Sequence, residues 1–352
     1  MNNNHTIYID GNPVGQDYPP YIIAELSANH NGKLENALKL LEEAKKAGAN
    51  AIKLQTYSPD TITIDSKREE FRITTGPRSG MSLYELYQQA HTPWEWHEIL
   101  FRKAKELNIT IFSSAFDFSA VEFLEKLNCC AYKIASCELV DIPLIRKVAL
   151  TGKPIIISTG MGTFDEIKEA IDTVKSTDNK NIIILHCVSG YPTPLEECNL
   201  KTIVDLKEKT KCIVGLSDHT SSIDTSLLAV ALGASVIEKH FNLINNKSLD
   251  SEFSLNKKQF YELTSRVRSA WIAMGNINYD LKRSEIHTSR LRRSLYIVKD
   301  IKKGQLLNSD NVKSIRPNNG LLPKFYEKVI NMKAKKDIKK GTPLSWDLIE
   351  EI

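Results

Sequence analysis

Short apolar runs rich in Ile, Val and Leu recur along the chain, separated by amphipathic stretches of helical period. The runs are YIIAEL (21–26), AIKLQT (51–56), TIFSSA (110–115), AYKIAS (131–136), PIIIST (154–159), IIILHC (182–187), IVGLSD (213–218) and VIEKHF (236–241). Each is short and almost continuously apolar, as expected of a strand covered on both faces. Between them lie LENALKLLEEAKKAG, TPWEWHEILFRKAKELN, SAVEFLEKLN and TFDEIKEAIDTVKST, several of which close on Gly or Asn, a helix C-cap signal. Eight strand–helix units over about 250 residues predict a closed (β/α)8 TIM barrel, an α/β fold. An open, doubly wound sheet is the second reading.

The pattern changes after a last helix at about 256–275. Residues 276–292, NINYDLKRSEIHTSRLR, are polar and basic and read as a linker. Beyond them KDIKKG occurs twice, at 299–304 and 336–341. Such an internal repeat predicts a small pseudo-symmetric domain. The expected organisation is therefore a barrel over 1–275, a linker over 276–292 and a small domain over 293–352. The longest gap between strands runs from Thr56 to Thr110 and carries SPDTITIDSKREEFRITTGPRSGMSLYELYQQA. It follows a strand, so it belongs at the C-terminal face, as a substrate-covering loop or a plain surface insertion.

Composition narrows the function. The 352 residues carry 47 Lys and Arg against 43 Asp and Glu, a net charge of +4 that makes no case for a nucleic-acid partner. Six cysteines form no CxxC pair and read as reduced thiols. No apolar run approaches the roughly 18 residues that span a membrane, and MNNNHTIYIDG lacks a basic then apolar leader pattern. A cytoplasmic protein is expected.

The strand ends carry the chemistry. In a barrel they open into the active site. They deliver Glu25; Lys53 with Gln55; Ser113 with Ser114; Lys133 with Ser136; Ser158 with Thr159; His186; Ser217, Asp218 and His219; and Glu238 with His240. Residues two apart share a face, so Lys53 and Gln55 point together, as do Glu238 and His240. His219 and His240 end adjacent strands. They read either as an open divalent-metal site of the Mn²⁺ type or as one general base beside one structural histidine. Lys133, Ser136, Ser158, Thr159 and Ser217 are donors of the kind that hold phosphate, although hydroxyls at strand ends also cap helices. Asn29, His30 and Asn31 in SANHNG (27–32) suit either sugar binding or a helix cap.

AELSANHNG, AIKLQTY, YKIASCE, ISTGM, HCVSGYPTP, GLSDHT and VIEKHF, in this order, resemble the sialic acid synthase family, and RRSLYIVKDIKKGQLL with SIRPNNG resembles its antifreeze-like SAF domain. The resemblance spans nearly the whole chain. It implies a TIM barrel with a SAF domain swapped across a homodimer. The implied reaction condenses phosphoenolpyruvate with an amino-sugar aldehyde to a nine-carbon 2-keto acid and phosphate. The implied cofactor is a divalent metal cation, Mn²⁺, Mg²⁺ or Co²⁺, on His219 and His240. Lys53, Lys133, Ser136, Ser158 and Ser217 resemble the phosphoenolpyruvate contacts. Glu25 resembles the acid that can reach the acceptor sugar, Glu138 the acid that handles protons or activates water, and Tyr191 and Asp250 the sugar-side residues, beside which Asn29 is taken as a substrate-binding candidate. Arg316 resembles an arginine that reaches the partner subunit's sugar. SANHNG and Glu-Phe-Ser-Leu (252–255) resemble the branch that takes 2,4-diacetamido-2,4,6-trideoxy-L-altrose; the acceptors of N-acetylneuraminic and legionaminic acid formation are alternatives. Ser189 or Gly190 stands where some neuraminate synthases carry asparagine. A non-catalytic sugar-binding protein, a condensing aldolase for sugar phosphates, and a Schiff-base aldolase acting through Lys133 or Lys53 are the competing classes.

Overall fold

The computed structural model describes residues 6–74, 79–243 and 245–351. The first five residues of the stretch read above for a leader, and 75–78 of the long insertion, lie outside the described residues. The eight apolar runs form parallel strands β1 (Tyr21–Glu25), β2 (Ala51–Thr56), β3 (Thr110–Ala115), β4 (Tyr132–Ile134), β5 (Ile155–Ser158), β6 (Ile182–Cys187), β7 (Ile213–Asp218) and β8 (Val236–His240). They pair in chain order, and β8 closes on β1. The fold is the closed barrel, not the open sheet.

Local chemistry explains the helices. Leu34–Lys46 buries Ala37, Leu40, Leu41 and Ala44, a 3–4 spacing that makes one apolar stripe. Ser82, Thr163 and Asn256 cap Leu83–Ala90, Phe164–Lys175 and Lys257–Met274 through reciprocal capping boxes. Past Trp94–Glu106 and Phe118–Lys126 the chain turns at Asn108 (φ +51°) and Asn128 (φ +56°), a conformation that asparagine tolerates. Gly215 in β7 is needed for strand packing: a Cβ there would lie 2.4 Å from the Val236 carbonyl oxygen and 2.6 Å from Leu185 Cδ2. An N-terminal hairpin, Ile7–Ile9 with Asn12–Val14, bonds to Thr110 at the start of β3, so it covers the end of the barrel opposite the strand C-termini.

The chain divides into two compact units, Met1–Gly275 and Asn276–Ile352. Segment 276–292, expected as a linker, is part of the second unit and holds short helical turns at Arg283–Glu285 and Ile286–Ser289. The second unit has its own core of Leu295, Ile297, Ile301, Leu307, Val312, Val329, Ile338 and Leu344. The two KDIKKG copies pair with each other. Ile301 and Ile338 exchange backbone hydrogen bonds of 2.9 and 2.8 Å. Lys302 meets Asp337 at 2.8 Å, and Lys339 meets Asp300 at 3.0 Å. The repeat is thus a local two-fold.

Candidate active site

Alternation along the strands sorts the polar residues into two sets. The inward set meets at the C-terminal mouth. Lys53 Nζ lies 2.7 Å from Glu25 Oε2 and 3.4 Å from Glu238 Oε1, and donates to Ser114 Oγ at 3.4 Å. Ser217 donates to Glu238 Oε1 at 2.9 Å. Glu25 Oε1 accepts from the Ser27 amide at 2.9 Å and from Gln55 Nε2 at 3.2 Å. Ser27, held at φ +41°, turns its hydroxyl onto Asp250 Oδ2 at 2.5 Å. A connected path therefore runs from Asp250 through Ser27, Gln55 and Glu25 to Lys53, Glu238 and Ser217. Lys133 lies on the same face, donating to Ser158 Oγ at 2.6 Å and to its neighbour Ile134's carbonyl at 3.1 Å.

These groups are almost fully buried, so their charges are set by one another. Burial pushes Glu25 up to about 7; Glu238 adds to the rise, while Lys53 opposes it. Glu238 suffers the same burial, but Lys53 and Lys133 outweigh it and hold its carboxyl far below the usual range. Burial lowers Lys133 to about 8, with Lys53 adding to the fall and Glu238 opposing it. Glu138 is raised to about 7, chiefly by burial, and its Oε2 has no hydrogen-bond partner among the described residues. From the long insertion, helix Leu83–Ala90 sets Tyr87 against Tyr57, ring centres 5.6 Å apart. The Tyr87 phenol is raised by burial and by the nearby Cys137 and Glu138.

Two further groups complete the mouth. On the β4–β5 side the Gly160 amide donates to Ser136 Oγ at 3.1 Å. A Cβ on Gly160 would fall 2.3 Å from Ser189 Oγ and 2.7 Å from Ser136 Oγ, so only glycine leaves this cradle open. On the β7–β8 side the rings of His219 and His240 lie 5.3 Å apart. Tyr191 covers His219 at 4.4 Å, and Phe253 packs on His240 at 4.9 Å. Burial and the neighbouring His219 drive His240 well below the usual histidine range. Burial opposes a charge on His219, but the Cys187 thiol at 3.8 Å raises it. The Val188 carbonyl lies 3.1 Å from His219 Nδ1 and leaves Nε2 for another partner. His240 Nδ1 and Glu238 Oε2 are buried without a hydrogen-bond partner among the described residues. Two imidazoles with uncommitted nitrogens in a closed-in mouth fit a divalent cation, and a carboxylate faces the same space. No cluster of three or more metal-ligating side chains occurs among the described residues.

Several candidates do not face the mouth. Asp218 points outward and pairs with Lys239 at 3.0 Å. His186 bonds outward to the Cys198 carbonyl at 2.7 Å. Ser113 joins Thr56, which in turn reaches His97 on the helix layer. The Thr159 hydroxyl donates to the Leu185 carbonyl at 3.2 Å. Asn29, expected beside the sugar, is fully buried: its amide donates to the Phe241 carbonyl at 2.8 Å and to Ser254 at 2.9 Å, and its Oδ1 accepts from Ser248. It stitches the β1 loop to the loop after β8. His30 is likewise structural, lowered to about 4 by burial and packed edge-on to Trp96. Arg316 lies in the second unit, lining an open groove of about 500 Å³ with Arg292 and Arg293. Two inward residues were missed as site residues. Glu238 is expected at the mouth beside His240, but the resemblance gives it no role. Cys187, on the same face as Leu185 and 3.8 Å from His219 Nδ1, carries no sequence signal that separates it from a plain buried thiol, because its strand is apolar on both faces.

Residues 40–279 match the NeuB family, and residues 292–350 match the SAF domain. A pseudaminic acid synthase of Campylobacter jejuni subsp. jejuni serotype O:2 is 48% identical over 329 residues, covering 93% of this chain and 96% of that protein. A pseudaminic acid synthase of Helicobacter pylori is 46% identical over 336 residues, covering 94% and 98%. Among solved structures, the N-acetylneuraminic acid (sialic acid) synthetase of Leptospira borgpetersenii serovar Hardjo-bovis, in complex with citrate, superposes with a TM-score of 0.73 at 30% identity, covering 81% of this chain and 95% of that one.

Proposed function

The chain belongs to the NeuB family and carries a SAF domain, and on that premise we propose that it acts as a pseudaminic acid synthase. It condenses phosphoenolpyruvate with 2,4-diacetamido-2,4,6-trideoxy-L-altrose and water, giving the nine-carbon 2-keto acid and phosphate. The observation that carries this reading is the buried mouth itself. Two lysines, three carboxyl groups, a serine and glycine cradle and two free-ended imidazoles converge where a trianionic substrate and an aldehyde must meet.

Each group has work to do. Lys53 and Lys133 hold the carboxylate and phosphate of phosphoenolpyruvate, helped by Ser158, Ser217, Ser136 and the Gly160 amide. His219 and His240 would hold a divalent cation, and the chemistry that ion would supply when bound is Lewis acidity. Carbon 3 of phosphoenolpyruvate attacks the aldehyde carbon, forming the carbon–carbon bond and leaving a cationic centre at carbon 2. Glu138, raised to about 7, is protonated on the acid side of neutrality and donates to the new alkoxide. Glu25, oriented by Ser27 and Gln55, takes the proton of the water that adds at carbon 2. Carbon–oxygen cleavage then expels phosphate, which carries off the proton of the carbon 2 hydroxyl and leaves the ketone. Tyr191 and Asp250 line the sugar side.

The same reading makes the active form a homodimer, with Arg316 reaching the partner's sugar, working in the cytoplasm where phosphoenolpyruvate is made. No described helix is long and apolar enough to cross a membrane. The test uses phosphoenolpyruvate labelled with ¹⁸O at the bridging oxygen. The reading requires the label in the released phosphate and an unlabelled nine-carbon keto acid. Label retained on carbon 2 contradicts it.

A further inference from the structure

The outward faces of β7 and β8 carry a second buried charge cluster that the reaction does not use. Lys239 Nζ is fully buried and lies 3.0 Å from Asp218 Oδ2. It also donates to the Thr220 carbonyl at 2.5 Å, to the Ser222 carbonyl at 3.0 Å and to Thr220 Oγ1 at 3.3 Å. Asp218 is saturated in turn: Oδ2 accepts from Thr225 and Ser226, both at 2.7 Å, and Oδ1 from the Thr220 amide and hydroxyl at 2.9 and 2.8 Å. A fully satisfied network of this kind is rigid.

Its position is specific. Lys239 and Asp218 face each other as the last residues in register between β8 and β7. His240 and His219 each follow by one residue, on the opposite face. Beyond that last pair the β7–β8 ladder no longer sets the spacing of the two rings. Lys239 instead grips Thr220 and Ser222, one and three residues after His219. One ammonium therefore ties the His240-bearing strand to the His219-bearing turn from behind.

We infer that the Asp218–Lys239 pair is a positioning device that sets the separation of His219 and His240 for a divalent cation. This rests on the reading of those histidines as metal ligands. Groups behind metal ligands typically alter affinity by about 10–100-fold. Of the groups assigned to phosphoenolpyruvate only Ser217 adjoins the pair, and it is held from the other face by Glu238. Lys53, Lys133 and Ser158 lie on other strands and Ser136 just past one, so binding of phosphoenolpyruvate should largely escape the effect.

The experiment measures Mn²⁺ binding by the electron paramagnetic resonance of free Mn²⁺, and phosphoenolpyruvate binding by calorimetry without metal. The full-length wild type is compared with Asp218→Asn, Lys239→Met and the double variant. The inference predicts Mn²⁺ affinity lowered about tenfold or more in each, with phosphoenolpyruvate affinity within about threefold. Because the two residues act as one unit, the double variant should be no worse than the worse single one. Unchanged Mn²⁺ affinity in a folded variant overturns the inference, as does equal loss of both ligands, which marks a general structural role. If the charge variants do not fold, Thr225→Val and Ser226→Ala each remove one bond to Asp218 and must show the same split in smaller degree. A wild type that binds no Mn²⁺ overturns the metal reading itself and the inference with it.

Discussion

Two lysine–carboxylate networks in this molecule use the same chemistry for different ends. In the barrel mouth Lys53 sits between Glu25 and Glu238, with side chains 1–5% exposed. In the second unit Lys302–Asp337 and Lys339–Asp300 join the two KDIKKG copies, with side chains 59–85% exposed. The distances are nearly the same. The difference is the surrounding dielectric. Water screens the exposed pairs, and their geometry records a repeat without stabilising it much. The buried set is unscreened, so each charge fixes its neighbours' protonation. Three carboxyl groups in one small volume thereby acquire different roles, with Glu238 ionised while Glu25 and Glu138 are poised near neutrality.

The largest effect expected from breaking this contrast is at Lys53. Lys53→Met leaves two buried carboxylates facing each other without their cation, so stability should fall by about 3–5 kcal/mol. Phosphate release should be lost. Adding Glu25→Gln should restore much of the stability but none of the activity, which urea titration and phosphate release would separate.

Next is Glu138→Gln, which should lower kcat by about 10²–10⁴-fold. The wild-type kcat should peak near pH 7, rising as Glu25 loses its proton and falling as Glu138 loses its own, and the variant should lack the falling limb. The stability sign follows from the same shift. A carboxyl raised in the folded state contributes stability that is complete below its unfolded value of 4.5 and lost as pH rises through 7. Between pH 5 and pH 8 the wild type should therefore lose on the order of 2 kcal/mol more than the variant. Parallel losses would show that Glu138 is solvated.

A third comparison concerns the metal. Chelation should abolish turnover while leaving the circular dichroism spectrum and melting temperature nearly unchanged, because Tyr191 and Phe253 already pack the two histidines. Added Mn²⁺ should restore activity. Cooperative unfolding on chelation would mark a structural ion instead. Arg316→Ala should raise KM for the sugar and spare that for phosphoenolpyruvate; equal effects on both would break the trans assignment. The smallest effect is expected at the repeat, where Lys302→Ala should leave the melting temperature unchanged within error.

The barrel was legible because eight apolar runs of strand length alternate with capped amphipathic helices; the strands start within one residue of those runs, while β4 ends two residues short of AYKIAS. What the sequence hid was parity. A strand buried on both faces shows no polar–apolar alternation, so nothing in IVGLSDH or VIEKHF says which residue faces the mouth. Ser217 and His219 turned inward and Asp218 outward; Glu238 and His240 turned inward and Lys239 outward. For the same reason His186 and Ser113 look like mouth residues in the sequence but turn outward, and Cys187 turns inward unannounced. Asn29 shows a second limit: an amide in a loop fits a sugar and a stitch equally well until its partners Phe241 and Ser254, 212 and 225 residues away, are in place. The KDIKKG repeat was visible as a copy, but pairing of one copy with the other is a tertiary fact.

The most direct test of the central claim is phosphate release from phosphoenolpyruvate, with and without Mn²⁺, offering 2,4-diacetamido-2,4,6-trideoxy-L-altrose and N-acetylmannosamine in parallel. The account predicts metal-dependent release with the altrose sugar and little with N-acetylmannosamine. Release with N-acetylmannosamine alone would contradict the assigned acceptor, and no release with either sugar would contradict the assigned function.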